Sequence, residues 1–132
     1  MKISIAMATY NGADYLQDQL DSFLFQTRLP DELVVSDDSS TDDTLRILEG
    51  FAREAPFPVV LAQNETNLGY AGNFNRALMM ATGDLVFLSD QDDVWFPEKL
   101  ARIEQEAKVS EALVLMNDAA YTDYDLRGLG LK

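Results

Sequence analysis

Two short clusters of aspartates are the residues of this sequence best suited to chemistry. They contain seven of its 23 acidic residues: Asp37, Asp38, Asp42 and Asp43, then Asp90, Asp92 and Asp93. The leading members of each cluster directly follow an apolar run typical of a β-strand. Crowded carboxylates raise electrostatic self-energy unless a cation or hydrogen-bond donors compensate them. A divalent ion such as Mg²⁺ or Mn²⁺ is the natural partner, because it prefers carboxylate, water and phosphate oxygens.

The composition excludes several other chemistries. The chain has 132 residues, with 10 Lys plus Arg against 23 Asp plus Glu, which gives a formal net charge of −13. It contains neither Cys nor His, so disulfides, thiol nucleophiles, a Ser-His-Asp triad and imidazole or thiolate metal ligands are excluded. So acidic a chain is not expected to bind nucleic acid, because that binding relies on Lys and Arg to neutralise phosphates.

The length and the hydropathy pattern predict a single soluble domain. The longest apolar runs, at residues 77–81 and 112–116, have five residues each, against the ~20 that a membrane-spanning helix needs. The N-terminus has no signal-peptide pattern. We therefore expect a cytoplasmic protein with no membrane segment, which partners or missing segments could bring to the inner face of the membrane.

Strand-like and helix-like segments alternate along the chain. Apolar runs predict strands at residues 3–8, 33–36, 58–62, 85–89 and 112–116. Apolar residues at helical spacing predict helices at about residues 14–27, then from 40–43, 69–72 and 97. The third helix is expected to carry Phe74, Ala77, Leu78 and Ala81 on one side. Such repeats of about thirty residues are typical of a mostly parallel α/β sheet flanked by helices.

The position of each aspartate predicts its role. Asp42 and Asp43 fall in the first turn of a predicted helix, where carboxylates stabilise free backbone N–H groups. Capping explains at most one member of the Asp37 and Asp38 pair, and Asp38, which lies farther beyond its strand, is the better candidate for ligand contact. Packing does not account for three carboxylates among residues 90–93. Ligands bind at the carboxyl ends of the strands in open α/β sheets, so this edge is the predicted site.

Two other kinds of site use aspartates at similar spacing. An EF-hand loop starting at Asp90 would need an oxygen ligand at Val94 and a glycine at Trp95, so it is excluded. A haloacid-dehalogenase-type phosphatase places Asp-x-Asp-x-Thr/Val after an apolar strand, and it would use Asp90 as nucleophile and Asp92 as general acid. That motif should lie on the first strand of its domain, whereas here it follows the fourth. The phosphatase stays open as an alternative.

Taken in order, the motifs resemble the N-terminal half of family 2 glycosyltransferases, which have the GT-A fold. The matching segments are residues 3–11, 34–42, 67–69, 81–84, 87–95 and 97–100, and the resemblance spans about residues 2–125. The Ser-Asp-Gln-Asp-Asp-Val-Trp sequence of residues 89–95 is similar to a bacterial branch described as rhamnosyltransferase-like.

The resemblance implies a site for a nucleoside diphosphate sugar donor, linked to UDP or dTDP. By position, Thr9 and Tyr10 would contact the nucleotide, with the Tyr10 ring against the base. Asp38 would accept a hydrogen bond from the pyrimidine ring N–H. Two interpretations are possible for each of the aromatic residues Tyr10 and Trp95. Tyr10 could cover the sheet edge instead of contacting the base, and Trp95 could either pack in the core or contact the ligand.

The same resemblance implies how the rest of the donor is held. Asp90 would lie near the ribose and diphosphate, Asp92 would bind Mn²⁺ or Mg²⁺, and Asn67 and Gly69 would form a tight loop lining the site. An ordinary turn is the alternative for that loop. Where many family members carry a basic residue, this chain has Phe74, so more of the diphosphate charge would depend on the metal.

The implied activity is inverting transfer of a sugar to a glycan or lipid-linked acceptor in cell-surface polysaccharide synthesis. In the family the catalytic base lies beyond the strand that follows the Asp-x-Asp helix, and Asp118 matches an acceptor-side position rather than that base. We therefore expect residues 1–132 to form the nucleotide-sugar-binding portion, truncated at its C-terminal side, with the acceptor-binding half absent. Exposed Leu113 and Leu115 would then favour self-association. A non-catalytic nucleotide-binding module is a further alternative.

Overall fold

The structure is a computed structural model that describes residues 1–110. Strands and helices alternate along this part of the chain. In order, the elements are β1 (Ile3–Thr9), α1 (Ala13–Leu24), β2 (Glu32–Asp37), α2 (Thr44–Glu54), β3 (Val59–Gln63), α3 (Gly69–Met80), β4 (Leu85–Ser89) and α4 (Lys99–Val109). Within these 110 residues, no helix has the length and apolar character needed to cross a bilayer.

The strands of residues 1–110 form one parallel sheet in the order β3-β2-β1-β4. The chain extends the sheet outward from β1 to β3, then returns to add β4 on the other side of β1. In open α/β sheets, such a reversal opens a crevice at the carboxyl ends of the strands, where ligands bind. The loops after β1, β2 and β4 carry Tyr10, Asp38 and Asp90. The topology therefore gathers the predicted site residues at one edge.

Alternate residues of β1 enter two cores of unequal size. Ile3, Ile5 and Met7 face a large core that also contains side chains from α1, α2 and α4. Ala6 faces a small core that includes Ala77 of α3. Burial of each large side chain in the larger core stabilises the fold by about 1.5–3 kcal/mol. The loops that carry the site therefore extend from a well-packed sheet.

The predicted strands and helices are confirmed within residues 1–110, although α1 is shorter than predicted. It ends at Leu24 rather than near residue 27. Beyond the helix, Gln26 Nε2 donates to Phe96 O at 2.8 Å, and Gln26 Oε1 accepts from Leu100 N at 3.0 Å. These bonds join the end of α1 to the start of α4 in place of a further helical turn. The predicted strand at residues 112–116 lies outside the described residues.

Helix α3 faces the sheet with a polar residue that apolar periodicity does not detect. Its buried residues are Asn73 and Ala77. Leu78 is exposed and Phe74 is half-buried, so the apolar side predicted for this helix is not buried as a whole. Asn73 tolerates burial because its amide is hydrogen-bonded, with Nδ2 donating to Thr9 O at 3.1 Å.

A buried polar cluster lies at the amino end of the sheet, opposite the predicted site. Glu32 accepts hydrogen bonds from Ser4 Oγ (2.6 Å), Thr82 N (2.8 Å) and Thr82 Oγ1 (2.9 Å). Burial opposes ionisation, yet these bonds hold the pKa of Glu32 below its ordinary value. Gly83 N donates to Ser4 Oγ at 2.8 Å. The motif at residues 81–84 therefore supports the sheet at the edge away from the site.

We expect Gly83→Ala to destabilise the protein, because a Cβ there would lie 2.8 Å from Ser4 N and 2.9 Å from Lys2 O. Both are backbone atoms, so the edge of the sheet must shift, at about 1–3 kcal/mol of unfolding free energy. Gly50→Ala in α2 is the matched control, since its Cβ would meet only the Arg53 side chain, at 3.8 Å. This variant should raise the unfolding free energy by about 0.5–1 kcal/mol, because alanine favours a helix over glycine. Denaturant unfolding measures both variants, and similar effects from the two would contradict this steric explanation.

Candidate functional site

The loops after β1 and β2 are joined side by side. Asn11 N donates to Ser40 Oγ (2.9 Å), and Asn11 Oδ1 accepts from Thr41 N (2.8 Å). Asn11 has a left-handed φ of +46°, which Asn adopts more readily than most residues. Gly12 N donates to Thr44 Oγ1 at 2.9 Å. These bonds fix the β1 loop against the first aspartate cluster.

Two aspartates of the first cluster stabilise this pair of loops. Asp37 is fully buried and accepts a hydrogen bond from Thr9 Oγ1 at 2.7 Å. Asp42 accepts from Ala13 N (3.1 Å) and Thr44 N (3.0 Å), the first residues of α1 and α2. Burial opposes ionisation of Asp42, but the hydrogen bonds hold its pKa below the ordinary value. The prediction that Asp42 stabilises N–H groups at a helix start is confirmed, but Asp42 and Asp43 precede α2 instead of lying in its first turn, and Asp43 makes no side-chain capping bond.

Asp38 is buried, with 5% of its surface exposed. Its Oδ1 accepts from Leu68 N (2.7 Å) and Asn64 Nδ2 (2.9 Å), and its Oδ2 accepts from Gly69 N (3.1 Å). Burial disfavours the charge, yet these donors hold the pKa of Asp38 below its ordinary value. An ionised carboxylate offers about four acceptor positions. Three donors therefore leave Asp38 with capacity for one more.

Asn64 is the buried amide that orients Asp38. Its Nδ2 is shared between Asp38 Oδ1 (2.9 Å) and Asn73 Oδ1 (3.0 Å). Its Oδ1 accepts a hydrogen bond from the guanidinium of Arg76. Arg76 is the cation nearest in sequence to the position where many family members have a basic residue, and here it binds a buried amide of the protein.

The second aspartate cluster follows β4 and is crowded with negative charge. Asp90 Oδ1 accepts from Gln91 N at 2.9 Å, and Asp90 Oδ2 lies 3.5 Å from the Tyr70 hydroxyl. Desolvation and the like charges of Asp90 and Asp93 raise the pKa of Asp92. Desolvation and the same acidic cluster raise the pKa of Tyr70. A cation beside these carboxylates would relieve their mutual repulsion.

The loops line an open cavity of about 500 Å³ at the carboxyl edge, in the crevice between β1 and β4. The lining residues are Ala8, Tyr10, Asp38, Asn67, Gly69, Tyr70, Asn73, Asp90, Gln91 and Asp92. Of the residues predicted to bind the nucleotide or the metal, all except Thr9 are among them. The side chain of Thr9 is instead buried and bonded to Asp37. Among the described residues that line the cavity there is no Lys or Arg, so its lining is acidic.

A hard metal ion in this cavity would share its coordination with water or with a ligand. Within residues 1–110, no group of three or more acidic side chains is arranged to hold a metal. Asp90 and Asp92 nevertheless bring carboxylate oxygens to one cavity. Mg²⁺ is often bound by one or two carboxylates and completed by water and substrate phosphates. The residues present therefore fit a divalent cation that binds together with a diphosphate.

The structure adds three polar cavity residues that the sequence patterns did not identify: Tyr70, Asn73 and Gln91. Tyr70 directly follows Gly69, which was the one signal available for it. Trp95 belongs to the core instead, because it is 7% exposed and its ring lies 4.8 Å from that of Phe23.

Comparisons with known proteins agree with this architecture. The chain matches the family described as Glycosyl transferase family 2 over residues 4–127. It is 37% identical over 98 residues to the dTDP-rhamnosyl transferase RfbG of Shigella flexneri, which covers 71% of this chain and 34% of that protein. The chain spans about a third of the length of the curated relatives it matches.

Two solved structures are similar to the described fold. S. aureus TarS in complex with UDP-GlcNAc gives a TM-score of 0.75 at 35% identity, over 83% of this chain and 32% of that one. The mannosyltransferase PcManGT of Pyrobaculum calidifontis, in complex with GDP-Man and Mn²⁺, gives a TM-score of 0.65 at 32% identity. That match covers 71% of this chain and 28% of the mannosyltransferase chain. The parallel sheet with flanking helices is thus the GT-A fold, and the phosphatase alternative loses its support. The chain belongs to glycosyltransferase family 2.

Proposed function

We propose that this chain provides the donor site of an inverting, metal-dependent glycosyltransferase that uses a UDP- or dTDP-linked sugar. The observation that supports the proposal most directly is the acidic cavity between β1 and β4, where Tyr10, Asp38, Asp90 and Asp92 meet. These residues offer an aromatic face, an oriented acceptor and paired carboxylates. The complete enzyme would transfer the sugar to a glycan or lipid-linked acceptor in cell-surface polysaccharide synthesis.

Asp38 and Tyr10 would recognise the base. A uracil or thymine ring offers one N–H donor, and Asp38 is ionised, held in place by its donors and able to accept one more hydrogen bond. Tyr10 is 48% exposed at the cavity, and stacking of an aromatic side chain on a base contributes ~1–3 kcal/mol. The fold alone does not select the base, since the similar PcManGT structure contains GDP-Man. The preference over adenine, which has no ring N–H to donate, therefore rests on Asp38.

Asp92, with Asp90 beside it, would bind the metal ion. A bound Mn²⁺ or Mg²⁺ would offset the negative charge of the diphosphate and stabilise it as a leaving group. Without a cation, a diphosphate would meet an acidic lining that has no Lys or Arg among its described residues. The PcManGT structure, which is in complex with both GDP-Man and Mn²⁺, supports this assignment. Asn67 and Gly69 would form the loop opposite the aspartates.

The acceptor step needs groups beyond the donor site. In an inverting transfer, a base deprotonates the acceptor hydroxyl as it attacks the anomeric carbon, and the bond to the diphosphate breaks. The cavity carboxylates would already be engaged with the nucleotide's pyrimidine ring and with the metal. We therefore propose that residues 1–132 bind the donor without supplying that base. Asp118, Leu113 and Leu115 lie outside the described residues, so acceptor contact and self-association stay predictions.

We expect UDP or dTDP to bind with Mn²⁺ or Mg²⁺ at least about tenfold more tightly than after chelation, because the cation relieves charge repulsion in the cavity. Asp92→Asn should abolish this metal-dependent gain. Asp18→Asn is the control and should keep the gain, since Asp18 is an exposed carboxylate of α1 outside the cavity lining. Calorimetry with and without EDTA measures the difference, and equal affinity in EDTA would contradict the metal assignment.

We expect Asp38→Asn to weaken UDP and dTDP binding about tenfold or more, because a hydrogen bond to a charged group contributes about 1.5–3 kcal/mol. ADP should be affected less, so the preference for pyrimidines should fall. Asp42→Asn is the control: it should lower unfolding free energy by about 1 kcal/mol and leave binding unchanged. An unaltered preference for UDP over ADP in a folded Asp38→Asn protein would show that Asp38 does not read the base.

We expect the 132-residue chain to bind donor but not to transfer sugar. Transfer needs an activated leaving group, an aligned acceptor and a base together, and the proposed site provides the first. A radiolabelled-donor assay with saccharide and lipid-linked acceptors measures turnover. Robust turnover would place the base within this chain, and Asp118→Asn would then be the first variant to examine.

A further inference from the structure

Gln91, between Asp90 and Asp92, makes a two-point contact with the backbone of Tyr10. Gln91 Nε2 donates to Tyr10 O at 3.0 Å, and Tyr10 N donates to Gln91 Oε1 at 2.7 Å. The donor and the acceptor of the amide are therefore both used on one residue. Paired bonds of this kind fix the orientation of the Tyr10 backbone as well as its distance.

The turn after β1 is shaped to receive this amide. A Cβ at Gly12 would lie 2.3 Å from Gln91 Oε1 and 2.4 Å from Gln91 Cδ, so any larger residue at this position would displace the Gln91 side chain. Gly12 has φ −105° and ψ 19°, a backbone conformation that other residues also adopt. Glycine is therefore required here by the space that the Gln91 side chain occupies and not by the backbone angles. The Tyr10 ring meanwhile stays 48% exposed and borders the cavity.

The contact links the two sides of the cavity. β1 and β4 pair in parallel, with Met7 opposite Ser89, so the loops that follow them leave the sheet next to each other. Gln91 N donates to Asp90 Oδ1 at 2.9 Å, which fixes the residue against the acidic side. The Gln91 side chain fixes the backbone of Tyr10, whose ring borders the opposite side of the cavity. An amide can do this without adding charge to the acidic lining.

We infer that Gln91 is a positioning residue for base recognition, acting through Tyr10. The inference rests on the proposed function, because it takes the base to stack on the Tyr10 ring. Holding the backbone of Tyr10 before the nucleotide arrives reduces the conformational entropy that binding must overcome. Base recognition thereby depends on the loop that carries the proposed metal ligand, although Gln91 itself touches neither the metal nor the phosphates in this role.

The test compares the chain with Gln91→Met, which keeps the side-chain length but loses the paired amide bonds. UDP with Mn²⁺ should bind about fivefold more weakly to Gln91→Met, since each lost bond is modest in net strength. Pyrophosphate with Mn²⁺, which lacks the base, should bind with unchanged affinity. Gly12→Ala, which displaces the same side chain, should reproduce both results. Gln105→Met, on the exposed side of α4, is the matched control and should bind like the wild type.

A double-mutant cycle separates positioning from general destabilisation. In a Tyr10→Ala background, Gln91→Met should have almost no further effect on UDP affinity, because the ring that it positions is gone. Amide exchange of the free chain should show Tyr10 N–H protected in the wild type and unprotected in Gln91→Met. Equal UDP affinity of wild type and Gln91→Met, or equal losses in both backgrounds, would overturn the inference and leave the donor-site proposal intact. Failure of the wild type to bind UDP with Mn²⁺ would instead overturn the donor-site proposal, and the binding role of Gln91 with it.

Discussion

The gathering of negative charge at the carboxyl edge of one parallel sheet is the constraint on which the rest of this structure depends. Hydrogen bonds from surrounding loops stabilise Asp37, Asp38 and Asp42, and the pKa of Asp38 and of Asp42 is lowered as a result. The cluster after β4 is compensated less, since Asp90 accepts a hydrogen bond from Gln91 N while desolvation and the neighbouring charges raise the pKa of Asp92. One group of carboxylates thus builds the loops, and the other is left with charge that a cation would neutralise.

Asp38 belongs to the first group and also borders the cavity, so loop structure and the proposed base recognition would be coupled at this residue. Its carboxylate holds the backbone of Leu68 and Gly69 at the start of α3. Gly69 adopts φ +80° there, a left-handed conformation that glycine enters without steric cost. The same carboxylate borders the cavity. A change at Asp38 therefore alters the wall of the site as well as one acceptor, which is why base preference is a more informative measurement than affinity alone.

Apolar periodicity and the placement of charge predicted the strands, the helices and the acidic residues of the site. They did not predict the roles of the neutral amide side chains, which only the structure shows. Leu85–Ser89 is a strand with the predicted bounds, because it is a continuous apolar run closed by acidic residues. Asn73 and Asn64 escaped notice, since a buried amide is stable only through partners that are distant in the chain. The sequence also gave no indication of the role of Gln91, because its partner Tyr10 is 81 positions away. Periodicity contains no information about such pairs, and only the sheet order brings them together.

The arrangement separates the source of binding energy from the source of selectivity. Phe74 stands where many family members have a basic residue, and its ring lies 5.1 Å from that of Tyr70 in an edge contact. Arg76 binds the buried amide of Asn64. In the proposed donor site neither position offers a cation to the cavity, so attraction for a diphosphate would depend on a metal ion, which acts equally on every nucleotide. Discrimination between bases would then depend on the neutral contacts and on the single carboxylate of Asp38, so the hydrogen bonds that orient Asp38 and Tyr10 would influence specificity more than the acidic cluster would.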